Sequence, residues 1–414
     1  MGQHESSHWD RSGLSRRNFL GGTLGAAATM PILASTLQAD DKPAEKRKIK
    51  LGLVGCGGRG SWIINLFKAH GGYEVHAVAD YFQEVADRCG DAQGVDKARR
   101  FSGLHGYRRV IDTGVEAVAL IVPTCFLAEQ AAYAAEHGLH VYMAKPIAVD
   151  VHGCMQVLSA GKTATDKDRV LLVDYQMPTD PVNIKIAETL WNEDKCKYAK
   201  MVTVGINGGR PDPEKTANIE SRIQNLVWDN DIEIGGGFIV SYDIHAIDTA
   251  VWVAKQRPVA AMGSSRVYRS NPHGTSCDAS SVVYEYADGL IHEHQSLALP
   301  NRAEGELSCS VFTETSHAVI NYWGKSHFLR RHKDPPFEAE VVNLYDAGAT
   351  RNIASFYDDI LAGKCENPTV RRAVDGCLTS ILGREASARK QRLTMEELIK
   401  ENKRVEVDRT GLKV

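Results

Sequence analysis

The stretch Ile49 to Phe67, IKLGLVGCGGRGSWIINLF, constrains the fold more than any other part of the chain. Ile49, Leu51, Leu53 and Val54 read as a buried strand, and Trp62 to Phe67 open an apolar helical pattern. Between them Gly55, Cys56, Gly57, Gly58, Arg59 and Gly60 complete a G-x-G-x-x-G. Glycines there let the backbone turn sharply at a strand end and let a pyrophosphate lie against the amides that open the helix. In a chain with 36 glycines such a match can arise by chance, and its setting is what strengthens it. A second strand, YEVHAVAD, ends at Asp80 about 20 residues beyond the last glycine, where a carboxylate would accept hydrogen bonds from the adenosine ribose hydroxyls. The same carboxylate repels a 2'-phosphate. The expected cofactor is therefore NAD, with NADP the alternative if a neighbouring basic residue compensates.

The pattern continues with a strand EAVALIVP, a helix from about Ala128 to His137, a strand LHVYM, a helix after Val149 and a strand RVLLVD. Strands alternating with helices predict an α/β, doubly wound parallel sheet, a Rossmann domain over residues 48–173. Ligands bind at the carboxyl ends of such strands. Pro123-Thr124 and Ala144-Lys145-Pro146 stand at strand ends, so both are expected to face the cofactor. The nucleotide-binding set is then Gly55, Gly57, Gly58, Arg59, Gly60, Asp80, Pro123 and Lys145.

Ahead of this domain lie SRRNFLGG, from Ser15 to Gly22, and the apolar run TLGAAATMPILASTLQA. Two arginines before a weakly hydrophobic stretch are the address of the twin-arginine pathway, which exports folded proteins. The run is too short and too rich in Gly and Ala for a membrane span of about 20 strongly apolar residues. Residues 1–39 are expected to be a signal peptide, with the mature chain beginning near Asp40 and periplasmic or otherwise exported. The net charge of -3 offers no basic field for nucleic acid, so the expected partners are a small molecule and the export machinery. Nine cysteines without any C-x-x-C pair form no disulfide framework and no zinc spacing, which suits folding in a reducing cytoplasm before export.

The glycine turn, the strand-end VPT, the Lys-Pro pair in YMAKPIAVD, DYQMPTDP, GGGFIVSYDIHAIDTAVW and the closing FYDDILAGKCENPTVRRAVDGCLTSILGREAS come in a telling order. Together they resemble the glucose-fructose oxidoreductase and inositol dehydrogenase (Gfo/Idh/MocA) family over nearly the whole mature chain. The resemblance implies a second, α+β domain over residues 174–414, with a large open, mainly antiparallel sheet, C-terminal helices, and a homodimer or homotetramer formed through the open face. It carries the family's lysine to Lys145 and its histidine to His245. Ala144 replaces the glutamate of the family's EKP, and Ser241 replaces the aspartate usually found four residues before the histidine. Asp243 is a candidate to supply the missing carboxylate. Asp248, one turn beyond His245, is a candidate to orient its ring, or else an exposed or capping residue.

Moving a hydride from a secondary alcohol to a nicotinamide needs a base for the hydroxyl proton and a group that holds the oxygen as charge develops. His245 is expected as acid/base and Lys145 as the oxygen-binding partner, with the reverse assignment open. The expected activity is an NAD(P)-dependent oxidoreductase (dehydrogenase) acting on the CH-OH group of a sugar, polyol or glycoside, with no metal. Export implies a tightly bound cofactor regenerated in place. The alternatives are a glycosidase or lyase using transient oxidation and elimination, and a non-catalytic sugar-binding protein.

Two further segments carry expectations. SSVVYEYADGLIHEHQSLAL predicts a hairpin around Asp288-Gly289, with His292 and His294 on one solvated or interface face and not in a metal site. The stretch from Gly208 to Asn230, rich in Pro, Gly and Asn, predicts a long loop near the substrate mouth.

Overall fold

The computed structural model describes residues 47–192, 198–331 and 336–414. Arg16, Arg17 and the rest of the expected signal peptide lie outside the described residues. Among those described, no helix is long and apolar enough to cross a membrane, and the cysteines are all free thiols.

The first half alternates as predicted: β1 (Ile49–Val54), α1 (Gly58–His70), β2 (Tyr73–Asp80), α2 (Gln83–Gln93), β3 (Arg100–Ser102), α3 (Gly106–Asp112), β4 (Ala117–Leu120), α4 (Thr124–Glu136), β5 (His140–Ala144), α5 (Val151–Asp166) and β6 (Leu171–Asp174). The strands form a six-stranded sheet in the order β3-β2-β1-β4-β5-β6, parallel at each junction. Helices cover both faces, so Ile49, Leu51 and Leu53 are all fully buried, at roughly 1.5–3 kcal/mol apiece. The order reverses between β1 and β4, which opens the ligand crevice at the carboxyl ends beside the glycine turn. Helix α4 begins at Thr124, ahead of the predicted Ala128, because Pro123, with φ −53°, turns the chain out of β4 directly into the helix.

The second half contains α6 (Pro181–Asn192), β7 (Lys200–Asn207), the short helices α7 (Ile232–Gly235) and α8 (Phe238–Ser241), and α9 (Ile244–Ala254). There follow β8 (Ala260–Arg266), β9 (Ala279–Glu285), β10 (Ile291–Ala298), β11 (Glu306–Phe312), β12 (Ser316–Asn321), β13 (Gly324–Arg330) and β14 (Phe337–Val341). The chain closes with α10 (Leu344–Ala362), α11 (Pro368–Arg389), β15 (Leu393–Thr394) and α12 (Met395–Glu401). Nine strands form one mixed sheet, β14-β13-β12-β11-β7-β10-β9-β8-β15, antiparallel except where β7 lies beside β10. Helix α10 returns to the first sheet, where Tyr73 donates to the Ile353 carbonyl at 2.8 Å and Tyr357 to the Arg47 carbonyl at 2.9 Å.

The hairpin forms as β9 and β10, with Gly289 at φ +90° in its turn. Its histidines correct the sequence reading. His292 and His294 are 0% and 1% exposed and face the helical layer, while Ile291 is 48% exposed on the open face. Parallel pairing sets Thr203 of β7 opposite His294, and the threonine hydroxyl meets His292 Nε2 at 2.6 Å and His294 Nδ1 at 2.9 Å. Partners on the neighbouring strand make the inward polar face tolerable, and hydropathy along one strand carries no sign of them.

The 208–230 segment is more ordered than a plain loop. It holds two 3₁₀ turns, Ile219–Arg222 and Val227–Asn230, and the fully buried Arg222 pairs with Asp212 and Asp231 at 2.7 Å each. Ile219, Ile223 and Trp228 pack with Tyr81, Phe82 and Phe126 at the strand ends of the first sheet.

Candidate active site at the strand ends

Gly55 and Gly60 serve the turn itself. Gly55 has φ +92°, and a Cβ there would lie 2.0 Å from the Ile121 carbonyl oxygen; one on Gly60 would lie 1.8 Å from the Gly55 carbonyl oxygen. Gly57 and Gly58 differ, because a Cβ on either would meet nothing within 4 Å. That open space above the helix-opening amides suits a pyrophosphate. The Asp80 carboxylate at the end of β2 accepts from the Cys56 amide at 2.8 Å and the Phe82 amide at 3.0 Å, and burial raises its pKa. The residues present fit a dinucleotide.

Arg59 is placed differently from the glycines around it. Its guanidinium pairs with the fully buried Asp174 at the end of β6 and lies 5.2 Å from the ring centroids of both Trp62 and Tyr345. Burial works against its charge, yet the Asp174 carboxylate leaves its pKa raised. Asn352 fixes Asp174 from α10 with a 2.8 Å hydrogen bond. The Arg59 side chain is thus engaged with Asp174 while its charge acts on Lys145 and His245.

Lys145 follows β5, before a cis peptide bond to Pro146, and donates from Nζ to the Ser241 carbonyl of α8 at 2.7 Å. Burial and the nearby Arg59 push its pKa down to about 7, against the opposing pull of Asp229 and Asp174. His245, in the first turn of α9, is 7% exposed, and burial with the charges of Lys145 and Arg59 holds its pKa well below the usual imidazole value. Its ring meets Tyr322 edge-on at 4.9 Å, and its Nδ1 has no hydrogen-bond partner among the described residues. A neutral imidazole near a lysine whose pKa is lowered toward neutrality is a workable pair for moving a proton.

The acids divide between sheet, helix and site. Asp243 is fully buried and accepts from His294 Nε2 at 3.0 Å, while its Oδ1 has no hydrogen-bond partner among the described residues and the Lys145 charge acts on it. Asp248 is fully buried too, with its pKa pushed up to about 6 by burial against the pull of Arg372, whose Nε donates to it at 3.2 Å from α11. It joins two helices, which corrects the exposed reading and leaves His245 without it as a partner. A further carboxylate near Lys145 and Ser241 is Asp229, which the sequence reading missed. It is 5% exposed and accepts from Arg210 Nε at 3.3 Å. The 3₁₀ turn that presents it has no periodic signature, so only its place in the 208–230 segment could have drawn notice.

Residues 49–175 match the family model described as the GFO_IDH_MocA oxidoreductase family, NAD-binding Rossmann fold. Over these residues the chain is similar to the dinucleotide domain of that family. The whole architecture is shared with solved structures at low identity. An aldose-aldose oxidoreductase from Caulobacter crescentus complexed with glycerol is 19% identical, with a TM-score of 0.67 over 84% of this chain and 100% of that one. A levoglucosan dehydrogenase in complex with NADH and levoglucosan is 15% identical, with a TM-score of 0.68 over 84% and 100%. A putative myo-inositol dehydrogenase from Sinorhizobium meliloti 1021 is 17% identical, with a TM-score of 0.63 over 84% and 99%.

Proposed function

We propose that this protein is an NAD-dependent oxidoreductase acting on a secondary hydroxyl of a sugar, polyol or glycoside, with the dinucleotide tightly held. The observation that carries this reading is that Lys145, at the end of β5, reaches the Ser241 carbonyl four residues before His245, close enough for its charge to act on the imidazole, beside the glycine turn. The sugar class is supported by the names of the structural neighbours.

On this reading the amides from Gly57 to Gly60 would hold the pyrophosphate, Asp80 would hold the adenosine ribose, and Pro123 and Lys145 would border the nicotinamide end. A nicotinamide held there would supply the hydride acceptor. His245, kept neutral by burial, takes the hydroxyl proton from the substrate. Lys145, aimed by the Ser241 carbonyl, donates a hydrogen bond to the substrate oxygen as negative charge grows on it. Denaturing the purified protein should release NAD or NADH, and a panel of sugars should change the absorbance of the bound nicotinamide. Protein that binds and releases no nicotinamide nucleotide would rule the reading out.

Asp229 gives the site a testable pH signature. Lys145 is faced by Arg59 and Arg210 as positive charges and by Asp229, Asp174 and Asp243 as negative ones, with His245 near it. Removing the Asp229 charge destabilises the ammonium form, so its pKa falls. The kcat/KM profile should carry an inflection at or below about pH 7. Asp229→Asn should move it to lower pH and Asp229→Glu should restore it; a lower rate with the inflection unmoved would mean that Asp229 only supports the fold.

Export through the twin-arginine pathway belongs to the same proposal, since an enzyme that works outside the cytoplasm must collect its dinucleotide before it leaves. Replacing Arg16 and Arg17 by lysine should strand the protein in the cytoplasm, and unchanged export would remove that assignment. The open face of the second sheet, where Met262, Ile291, Phe312 and Leu329 are exposed, is the proposed contact of a homodimer or homotetramer.

A further inference from the structure

The last residues of the chain, 402–414, run over the first domain with little burial, and among their side chains only Leu412 is buried. Their hold is made of single polar contacts spaced along the segment. The Val405 amide donates to Asp150 at 2.7 Å, and Arg409 pairs with Glu129 at 3.1 Å while lying over the Phe126 ring. Between these contacts the tail spans a cavity of about 360 Å³ above α4 and α5. The segment is thus fastened at points and not packed as core.

Its end reaches the part of the crevice where the ribose carboxylate stands. The Leu104 amide donates to the Lys413 carbonyl at 2.9 Å, and the Lys413 amide donates to the Tyr81 hydroxyl at 3.0 Å. Tyr81 is the residue directly after Asp80, and its hydroxyl in turn donates to Glu220 of the 208–230 segment. Asn218 of that segment donates to the Gly411 carbonyl at 3.1 Å. Three stretches remote in sequence are thereby joined on one phenol beside Asp80: the end of β2, the second domain's long segment and the C-terminus.

We propose that residues 402–414, joined to the Glu220 turn through Tyr81, form a strap that closes the adenosine end of the crevice and slows release of the dinucleotide. The inference rests on the dinucleotide reading of the site and adds the structural reason for tight retention. A dinucleotide seated on the glycine turn and Asp80 leaves through the space these contacts close, so they must open before it does. Because the strap is held by a few exposed contacts, its removal should cost little of the fold.

The test measures NADH release from full-length protein loaded with NADH, by the fall in bound-NADH fluorescence after excess NAD is added. A chain lacking residues 403–414 should release NADH at least about 10-fold faster. Tyr81→Phe, which keeps the ring and deletes the shared hydroxyl, should release it faster than wild type, with melting temperature nearly unchanged in the absence of nucleotide. Release at the wild-type rate from both variants overturns the strap while leaving dinucleotide binding intact. If the truncated chain fails to fold, Tyr81→Phe decides alone. Wild-type protein that never binds NADH overturns the dinucleotide reading and the strap with it.

Discussion

Lys145→Ala and His245→Ala are each expected to lower hydride transfer by about 100- to 10,000-fold, or roughly 3 to 5 kcal/mol of barrier, while the protein keeps its dinucleotide. The separation follows from position. The proposed pyrophosphate site is the glycine turn between β1 and α1, whereas Lys145 follows β5 and His245 lies in α9. Neither side chain holds the turn together: Lys145 bonds to the Ser241 carbonyl, and His245 Nδ1 has no partner among the described residues. Without the Lys145 ammonium, Asp229 keeps Arg210 and Asp174 keeps Arg59 as partners, and the His245 ring gives up no hydrogen bond at Nδ1, so the melting temperature should stay near wild type. Single-turnover reduction of the bound nicotinamide by a confirmed substrate checks this, with nucleotide content measured on the same samples. Wild-type rates in both folded, loaded variants would show that this pair does not carry the chemistry.

Gly57→Ala and Gly60→Ala should fail in different ways although the two glycines belong to one motif. At Gly60 a methyl group would lie 1.8 Å from the Gly55 carbonyl oxygen, and backbone cannot yield as a flexible side chain does. The expected cost is about 3 kcal/mol of stability, at the upper end of overpacking effects, with nucleotide binding lost as the turn distorts. Gly57 has φ −65°, open to alanine, and its methyl group would meet no protein atom within 4 Å. The melting temperature without nucleotide should therefore hold. The methyl would occupy the space proposed for the phosphates, and losing about two charge-assisted hydrogen bonds costs about 3 kcal/mol, or roughly 100-fold in affinity. Thermal melts and NADH titration of both variants check the contrast. Unchanged affinity in Gly57→Ala would place the phosphates elsewhere.

The EKP glutamate and the aspartate before the histidine are absent from this chain, and their absence left the charge balance around Lys145 open in the sequence. Tertiary structure brings carboxylates from elsewhere. In the register of β5 with β6, Ala144 lies opposite Asp174, and the 3₁₀ turn of the 208–230 segment sets Asp229 beside Ser241 and Lys145. Of the nearest acids in sequence, Asp248 is paired with Arg372, while Asp243 accepts from His294 and is still within the influence of the Lys145 charge.

By itself the sequence determined what local rules govern. The turn at Gly55 to Gly60, the acidic end of β2, the alternation of strand and helix, and the hairpin at Asp288-Gly289 each depend on residues within one turn or one supersecondary unit. Only the tertiary structure decided which face of β10 is inside, which carboxylate meets Lys145, and where residues 402–414 and 208–230 come to rest. Those outcomes depend on partners tens to hundreds of residues away: Thr203 for the histidines, Asp229 for the lysine, Tyr81 for the C-terminus. A hydrogen bond or a charge pair acts through distance in space, and local periodicity carries no record of which distant group will arrive within about 3 Å.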